Sequence, residues 1–403
     1  MTQTIAPTDP QQAVRDALDA LFVSHPPATT EHATFWGAQY DAGLAWVQFP
    51  VGIGGLGVSP RLQAFVNDAI VDAGGSVANR RHNVLAIGMG GPVLATHGTS
   101  QQQERWLRPM FTTEEIWCQL FSEPGAGSDL AGLSTSAVPE GDTWIVNGQK
   151  VWTTYAHTSR WGMLVTRTDP DVPKHAGMTY FILDMQAPGV EIKPLYQITG
   201  EAEFNEVWMT DVHIPDDDRI AEVGEGWTVA MTTLSNERVA IGSNIPERGE
   251  GAIMHAVEAW LAVADRDEPV ARDRLVQLWV EAEAMRLTAI RANENRKTGN
   301  PGPEGSTGKL HWSELNKAIT EFGMELLGAD GMLYPPGYEF SSPELSATTR
   351  NEGLPQLYLR ARANSIEGGT SEILKNILGE RVLGLPGEPR VDKNIPFREI
   401  PRG

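Results

Sequence analysis

The spacing of apolar residues divides the chain into three textures. Ala13, Ala17, Leu18 and Leu21 recur at steps of three and four, the period of a helix with one buried face. Further helical stretches follow at Arg61 to Ala73 and Gln101 to Met110. The Gly/Pro-rich segment Pro50 to Pro60 interrupts them. From Ile116 to Val223 the pattern shortens to strands. Thr143-Trp-Ile-Val146 and Gln149-Lys-Val-Trp-Thr-Thr154 flank Asn147-Gly148. That pair suits the positive φ angles of a type I′ turn, which predicts a hairpin. Met178 to Asp184, Val190 to Lys193 and Glu206 to Met209 are further strand candidates. Several short strands with turns between them predict a small barrel or sandwich. After Gly226 the helical texture returns. Leu275, Leu278, Ala282, Met285 and Ala289 form an apolar stripe, with Arg274, Gln277, Glu281 and Arg286 opposite. Thr298 to Gly308 reads as a loop, and the tail after Gly384 as extended. The expected class is α+β, with a helical region at 1–115, a central β-domain at 116–223 and a helical C-terminal region at 224–403.

Charge and cysteine content narrow the function classes. The 403 residues carry a formal charge of −20, which disfavours nucleic-acid binding because phosphate contacts need clustered positive charge. An anionic ligand must then be met by local basic groups or backbone N–H donors. The single cysteine, Cys118, excludes an internal disulfide and a cysteine-based metal cluster. No apolar run is long enough to span a bilayer, and Met1 to Pro10 lacks a signal-peptide pattern. These features lead to the expectation of a cytoplasmic protein. Twelve tryptophans are many for this length, and most are expected to serve as packing mass.

The densest motif is Ser122-Glu-Pro-Gly-Ala-Gly-Ser-Asp129. Gly125 and Gly127 let a backbone approach a flat or phosphorylated ligand, and Ser122 and Ser128 add hydroxyls. By itself a short Gly-x-Gly is as readily a structural turn, and no βαβ unit surrounds this one. Trp152 and Thr154 have a similar double reading. They are either barrel packing, or a ring and a hydroxyl set against a planar group.

Taken together, five segments resemble the acyl-CoA dehydrogenase family in order and spacing. They are Ser122 to Asp129; Asn147-Gly-x-Lys-x-Trp-x-Thr154; Phe204-Asn-Glu-Val207 with Val212-x-Ile-Pro215; Gly224-x-Gly-Trp227; and Gly369-Thr-Ser-Glu-Ile373. The resemblance runs from about Leu44 to Pro386. It implies a helical N-terminal domain, a central β-domain and a C-terminal four-helix bundle, with FAD between the last two. Position by position it places Gln119, Phe121, Ser122, Trp152 and Thr154 along the isoalloxazine. It places Ser128 on the CoA moiety, and Thr370 and Glu372 on FAD.

The implied reaction is α,β-dehydrogenation of an acyl-CoA thioester to the trans-2-enoyl-CoA. A glutamate takes the α proton, and flavin N5 accepts the β hydride. In the family that glutamate stands at one of two places. Directly before Gly-Thr this chain has Gly368, with Glu367 one residue early. On the helix that opens the C-terminal region it has Glu237, followed by Arg238. Glu237 is therefore the expected base and Glu367 the alternative. Arg238 and Gly368 are expected substrate contacts. Without the family, Glu237 reads as an ordinary exposed helical glutamate.

The last third departs from the family pattern. An Arg-x-x-Phe-Gly segment, whose arginine meets FAD of a neighbouring subunit, is missing, and Arg272 is its candidate stand-in. Where relatives have Gln before Gly-Gly-x-Gly, Glu325 precedes Gly328, adding negative charge beside an expected dinucleotide. The implied partners are an acyl-CoA and electron-transfer flavoprotein as acceptor. The implied assembly is a homodimer or homotetramer. Alternatives are a half-site subunit of a hetero-oligomer, or another flavin chemistry such as an oxidase or monooxygenase.

Overall fold

The computed structural model describes residues 9–241, 245–262, 268–297, 304–333 and 353–401. They form two compact units. The first comprises the described residues within 1–193, 205–240 and 392–403; the second comprises those within 194–204 and 241–391.

In the first unit, helices α1 (Pro10–Ser24), α2 (His32–Asp41), α3 (Leu62–Asp72), α4 (Asn79–His82), α5 (Gly91–His97) and α6 (Ser100–Thr112) precede the strands. Their starts are written locally. Asp9 accepts from the amides of Gln11 and Gln12 at the head of α1. Thr99 and Gln102 cap each other at the head of α6. The expected stripe of α1 is the buried one, with Leu18 and Leu21 both inside.

The strands are β1 (Trp117–Leu120), β2 (Ser136–Glu140), β3 (Thr143–Thr154), β4 (Trp161–Arg167), β5 (Met178–Asp184), β6 (Val190–Leu195), β7 (Phe204–Pro215) and β8 (Arg219–Ile220). They join in the order β6-β7-β3-β2-β4-β5-β8, with β1 on β4. β1 runs parallel to β4 in the register Trp117 to Trp161, and β5 runs antiparallel to β4. The central strands β4 and β5 are buried on both faces. Trp161, Met163, Val165, Met178, Tyr180 and Ile182 belong to the core shared with the N-terminal helices. Leu164, Phe181 and Leu183 point into a second core with Trp144, Val146, Val207 and Met209. The sheet curls to make that second core. Trp144 of β3 meets Phe181 of β5 at 5.4 Å, although β2 and β4 lie between them in the strand order. This accounts for the small barrel-like pattern expected from the sequence.

Tryptophan joins helix to sheet. Trp106 of α6 sits edge-on to Trp117 and Trp161, at 5.9 and 5.8 Å. The Arg105 guanidinium lies over Trp106 and Trp161 at 4.7 and 4.9 Å.

The expected hairpin at Asn147-Gly148 is corrected by the structure. β3 runs unbroken through both residues, and the real hairpin loop is Gly141-Asp142, between paired Glu140 and Thr143. Gly141 has φ 60°, as the first residue of a two-residue loop requires. Asn147 instead ties β3 to β7. Its Nδ2 donates to the Asp211 carboxylate at 3.0 Å, and its Oδ1 accepts the Asp211 N–H at 2.9 Å. Gly148 is needed for a close crossing, because a Cβ there would lie 2.7 Å from the Thr135 Cα.

In the second unit, α8 (Ile253–Ala262), α9 (Pro269–Lys297) and α10 (Glu304–Leu327) share a core of Ile253, Ala256, Leu278, Leu315, Ile319 and Phe322. Leu275, Ala282 and Met285 of the expected stripe pack against it. The short helices α11 (Leu354–Ala361) and α12 (Ser371–Ile377) lie on α10. Helix α7 (Gly226–Ile241) belongs, through Ala240, to the first unit. The loop expected to end at Gly308 ends sooner, since α10 already begins at Glu304. Tertiary bonds override the weak helix propensity of Gly305 to Gly308. In the next turn, Lys309 Nζ donates to the carbonyls of Asn364 and Gly369 at 2.7 and 2.8 Å.

Gly148→Ala is expected to cost about 1–3 kcal/mol by overpacking against Thr135. Gly125→Ala, where an added Cβ meets nothing within 4 Å, should change stability by no more than about 0.5 kcal/mol. Denaturant midpoints of the two variants check the contrast.

Candidate functional site

The motif loop grows out of β1. Gln119 is half-buried on that strand, and Phe121 is buried with its ring edge-on to Tyr180 at 6.0 Å. The loop is then fixed by one buried ion pair. Lys150 of β3 is fully buried, and its Nζ donates to the Phe121 carbonyl at 3.0 Å and to Glu123 Oε1 at 2.8 Å. The Glu123 carboxylate also accepts the N–H groups of Ser134 and Thr135 at 2.6 and 2.9 Å. Burial alone would push the Glu123 carboxyl up. The charge and hydrogen bond of Lys150, with the two backbone donors, hold it below the usual carboxylate range.

With its root held, the loop turns tightly. Glu123 and Ala126 exchange backbone hydrogen bonds of 3.0 Å. Pro124, Gly125, Gly127 and Ser128 face solvent. Among the described residues, no atom lies within 4 Å of a Cβ added at Gly125 or Gly127. No described residue crowds those two glycines, so their small size leaves room for a close approach at the loop. Ser122, half-buried, accepts the Val151 N–H on its carbonyl at 2.9 Å. This sets the end of β3 beside the loop.

Trp152 follows, 58% exposed and with φ 60°. A left-handed conformation is costly for a bulky residue and is retained where the surroundings impose it. The twist turns the indole outward while Thr153 stays buried and Thr154 half-buried. Asn205, in the Phe204 to Val207 segment, fixes this strand end. Its Nδ2 donates to the Thr153 carbonyl at 3.1 Å and lies 3.2 Å from His157 Nδ1. Gln119, Phe121, Ser122, Ser128, Trp152 and Thr154 are therefore all carried by β1, β3 and the loop that Lys150 pins.

The remaining candidates, apart from Glu237 and Arg238 on α7, lie in the second unit. Thr370 caps α12, its hydroxyl accepting the Ile373 N–H at 3.1 Å, and Glu372 is exposed in the first turn. Gly368 and Gly369 adopt φ 62° and 94°. Glu367 is held by its neighbours. Arg360 donates to its two oxygens at 3.2 and 2.9 Å, and Asn364 Nδ2 donates at 2.8 Å. Arg360 also lies 3.7 Å from the buried Glu203, whose carboxyl is raised by burial. Arg272 is exposed; Arg274, two residues on, reaches α10 instead. It pairs with Glu325 and stacks over Phe322 at 5.5 Å. The negative charge at Glu325 is thus balanced within the unit. Gly328 follows α10 with φ 54°. Glu237 and Arg238 lie on α7, and their side chains are outside the described residues.

Three family profiles match in chain order. They are the acyl-CoA dehydrogenase N-terminal domain at residues 8–114, the middle domain at 118–212 and the C-terminal domain at 224–383. The chain belongs to the acyl-CoA dehydrogenase family and is an oxidoreductase of that family. It is 39% identical over 353 residues to the acyl-CoA dehydrogenase IpdE1 of Mycobacterium tuberculosis, covering 87% of this chain and 86% of that one. The Tcur3481-Tcur3483 steroid acyl-CoA dehydrogenase superposes with a TM-score of 0.69 at 23% identity, covering 96% of this chain and 100% of that one. The ChsE4-ChsE5 complex from Mycobacterium tuberculosis gives 0.68 at 24% identity, with coverage of 96% and 100%. The resemblance drawn from five segments therefore extends over all three family domains.

Lys150 and Glu123 lie in the motif segments, but their pairing is not among the sequence expectations. A signal was present: Lys150 shares strand parity with the inward Trp144 and Val146, and a lysine on an inward face needs an acid. Lys150→Met is expected to cost about 3–5 kcal/mol by leaving Glu123 buried without its cation. Because the folded-state pKa of Glu123 is lowered, its contribution is present above the ordinary carboxyl value of about 4.3 and fades as pH falls below it. Thermal melts across pH 3 to 7 should show Glu123→Gln less acid-sensitive than the wild type.

Proposed function

We propose that the chain oxidises an acyl-CoA thioester to its trans-2-enoyl form, with FAD as cofactor and Glu237 as the base. The observation that carries this reading is the open loop Ser122 to Asp129, fixed at its root by Glu123 and Lys150 and flanked by the outward-turned Trp152. The cleared space over Gly125 and Gly127 fits a planar or phosphorylated group. In the three-domain division 1–115, 116–223 and 224–403, Trp152 and Thr154 take the ring face and edge, and Gln119, Phe121 and Ser122 take its other contacts. Ser128 takes the CoA portion with Arg238 and Gly368, while Thr370, Glu372, Arg272 and Gly328 complete the cofactor site.

Bound FAD would supply a hydride acceptor at N5. Glu237 removes the α proton, and the β hydrogen leaves with its electron pair, so the double bond forms as two electrons depart. Exclusion of water by the acyl chain strengthens the carboxylate as a base. Glu237 is preferred to Glu367 because Glu367 already serves Arg360 and Asn364 with its oxygens. Electron-transfer flavoprotein is the proposed acceptor. Self-association is supported by Val276, Val280, Leu287 and Ile290, exposed along one face of α9. A half-site subunit with a paralogous partner is the second reading. It is favoured by the missing Arg-x-x-Phe-Gly segment and by the exposed Arg272 in its place.

Purified protein should be yellow, and its flavin band should bleach anaerobically with a matching thioester. Because one structural relative is a steroid acyl-CoA dehydrogenase, the panel should include straight-chain, branched and steroid side-chain CoA thioesters. Glu237→Gln should slow bleaching at least about a hundredfold, and Glu367→Gln much less. The reverse order would transfer the role to Glu367. A colourless protein that takes up no FAD would favour the half-site reading.

A further inference from the structure

The glycine-rich loop is fixed at its root by Lys150, but its far end is held by groups that the reaction does not use. Lys174, 7% exposed, donates from Nζ to both oxygens of Asp129 at 2.8 Å and to Asp392 at 2.5 Å. Arg167, 4% exposed, donates to the carbonyls of Ala131 and Leu133 at 2.6 and 3.4 Å, and to the Lys174 carbonyl. Its guanidinium lies 3.9 Å over the ring of Phe397, which is itself buried.

Asp392 and Phe397 therefore bring one segment to both cations. Their seat is specific. The Phe397 N–H donates to the Val172 carbonyl and the Arg398 N–H to the Pro170 carbonyl, each at 3.0 Å, and Arg398 pairs with Asp171. Two buried cations, Lys174 and Arg167, each hold the loop end at Asp129 to Leu133 on one side and the segment from Asp392 on the other.

We propose that Asp392 to Pro401 is a strap that positions the Ser128–Asp129 end of the loop through Lys174 and Arg167, and so sets affinity for the CoA portion of the substrate. The inference rests on the reading of Ser128 as a CoA contact. Its physical basis is the cost of ordering. A loop with two open glycines has much backbone freedom to lose on binding, and anchoring both of its ends removes that freedom beforehand. An exposed Asp129 paired with one mobile lysine would supply little of this. A buried lysine shared with a second carboxylate supplies a fixed point. Lys174, Arg167 and Phe397 are positioning residues.

The test uses the full-length holoenzyme, with CoA itself as the calorimetric probe. Phe397→Ala and Lys174→Met should each weaken CoA binding about tenfold, raise KM rather than lower kcat, and speed hydrogen exchange at the amides of Gly125 to Gly132. Exchange in β5 should stay unchanged, and Lys174→Arg should restore most of the affinity. Normal CoA binding by the wild type, with affinity and loop exchange unchanged in both variants, would overturn the strap. A wild type that binds no CoA would instead overturn the reading of Ser128 on which the affinity claim rests.

Discussion

One buried lysine organises the candidate site. Lys150 has no access to water, and a lysine in that position must be met by an acid and by carbonyls or it destabilises the fold. The partners available are Glu123 and the Phe121 carbonyl, which are the root of the motif loop. Satisfying the lysine therefore docks the loop against β3. The same docking brings the Val151 N–H to the Ser122 carbonyl and leaves Trp152 at the edge with its ring turned outward. The arrangement of several site residues is thus a consequence of one electrostatic requirement inside the barrel-like core.

The same use of cations recurs elsewhere in the chain. With a net charge of −20, it has little long-range attraction to offer. Several of its cations are spent inside the fold, each holding backbone in place. Lys150, Lys174 and Arg167 hold the loop, and Lys309 holds the carbonyls of Asn364 and Gly369. What they present outward is ordered backbone rather than charge.

Much of this was legible in the sequence and some was not, for reasons that differ by residue. The helical stripes at Leu18 to Leu21 and Leu275 to Met285 were readable because burial of one face has a fixed period. The family was readable because five segments recur in register. Asn147-Gly148 misled because its turn propensity is local, whereas its actual uses are a side-chain bridge to Asp211 and a close pass over Thr135. Glu325 looked like an uncompensated charge because Arg274, its partner, lies 51 residues away. Lys174 and Asp392 are 218 residues apart, and no periodicity or spacing rule connects them. Pairings that close such long loops are fixed only by the finished fold.

The late loop shows the same division between local rule and tertiary use. Gly368 and Gly369 are both left-handed, a conformation that costs an L-residue about 1–2 kcal/mol. A glutamate at 368 would have to bear that strain, so the backbone itself favours glycine at this position. The glutamate one position earlier falls instead beside Arg360, which stands between it and Glu203. Replacing Glu367 would remove two charge-assisted hydrogen bonds from Arg360 and leave Glu203, at 3.7 Å, as its neighbouring carboxylate. A loop built around an arginine in this way is a mechanical element. On the proposed function, proton abstraction is assigned to Glu237 on α7 instead.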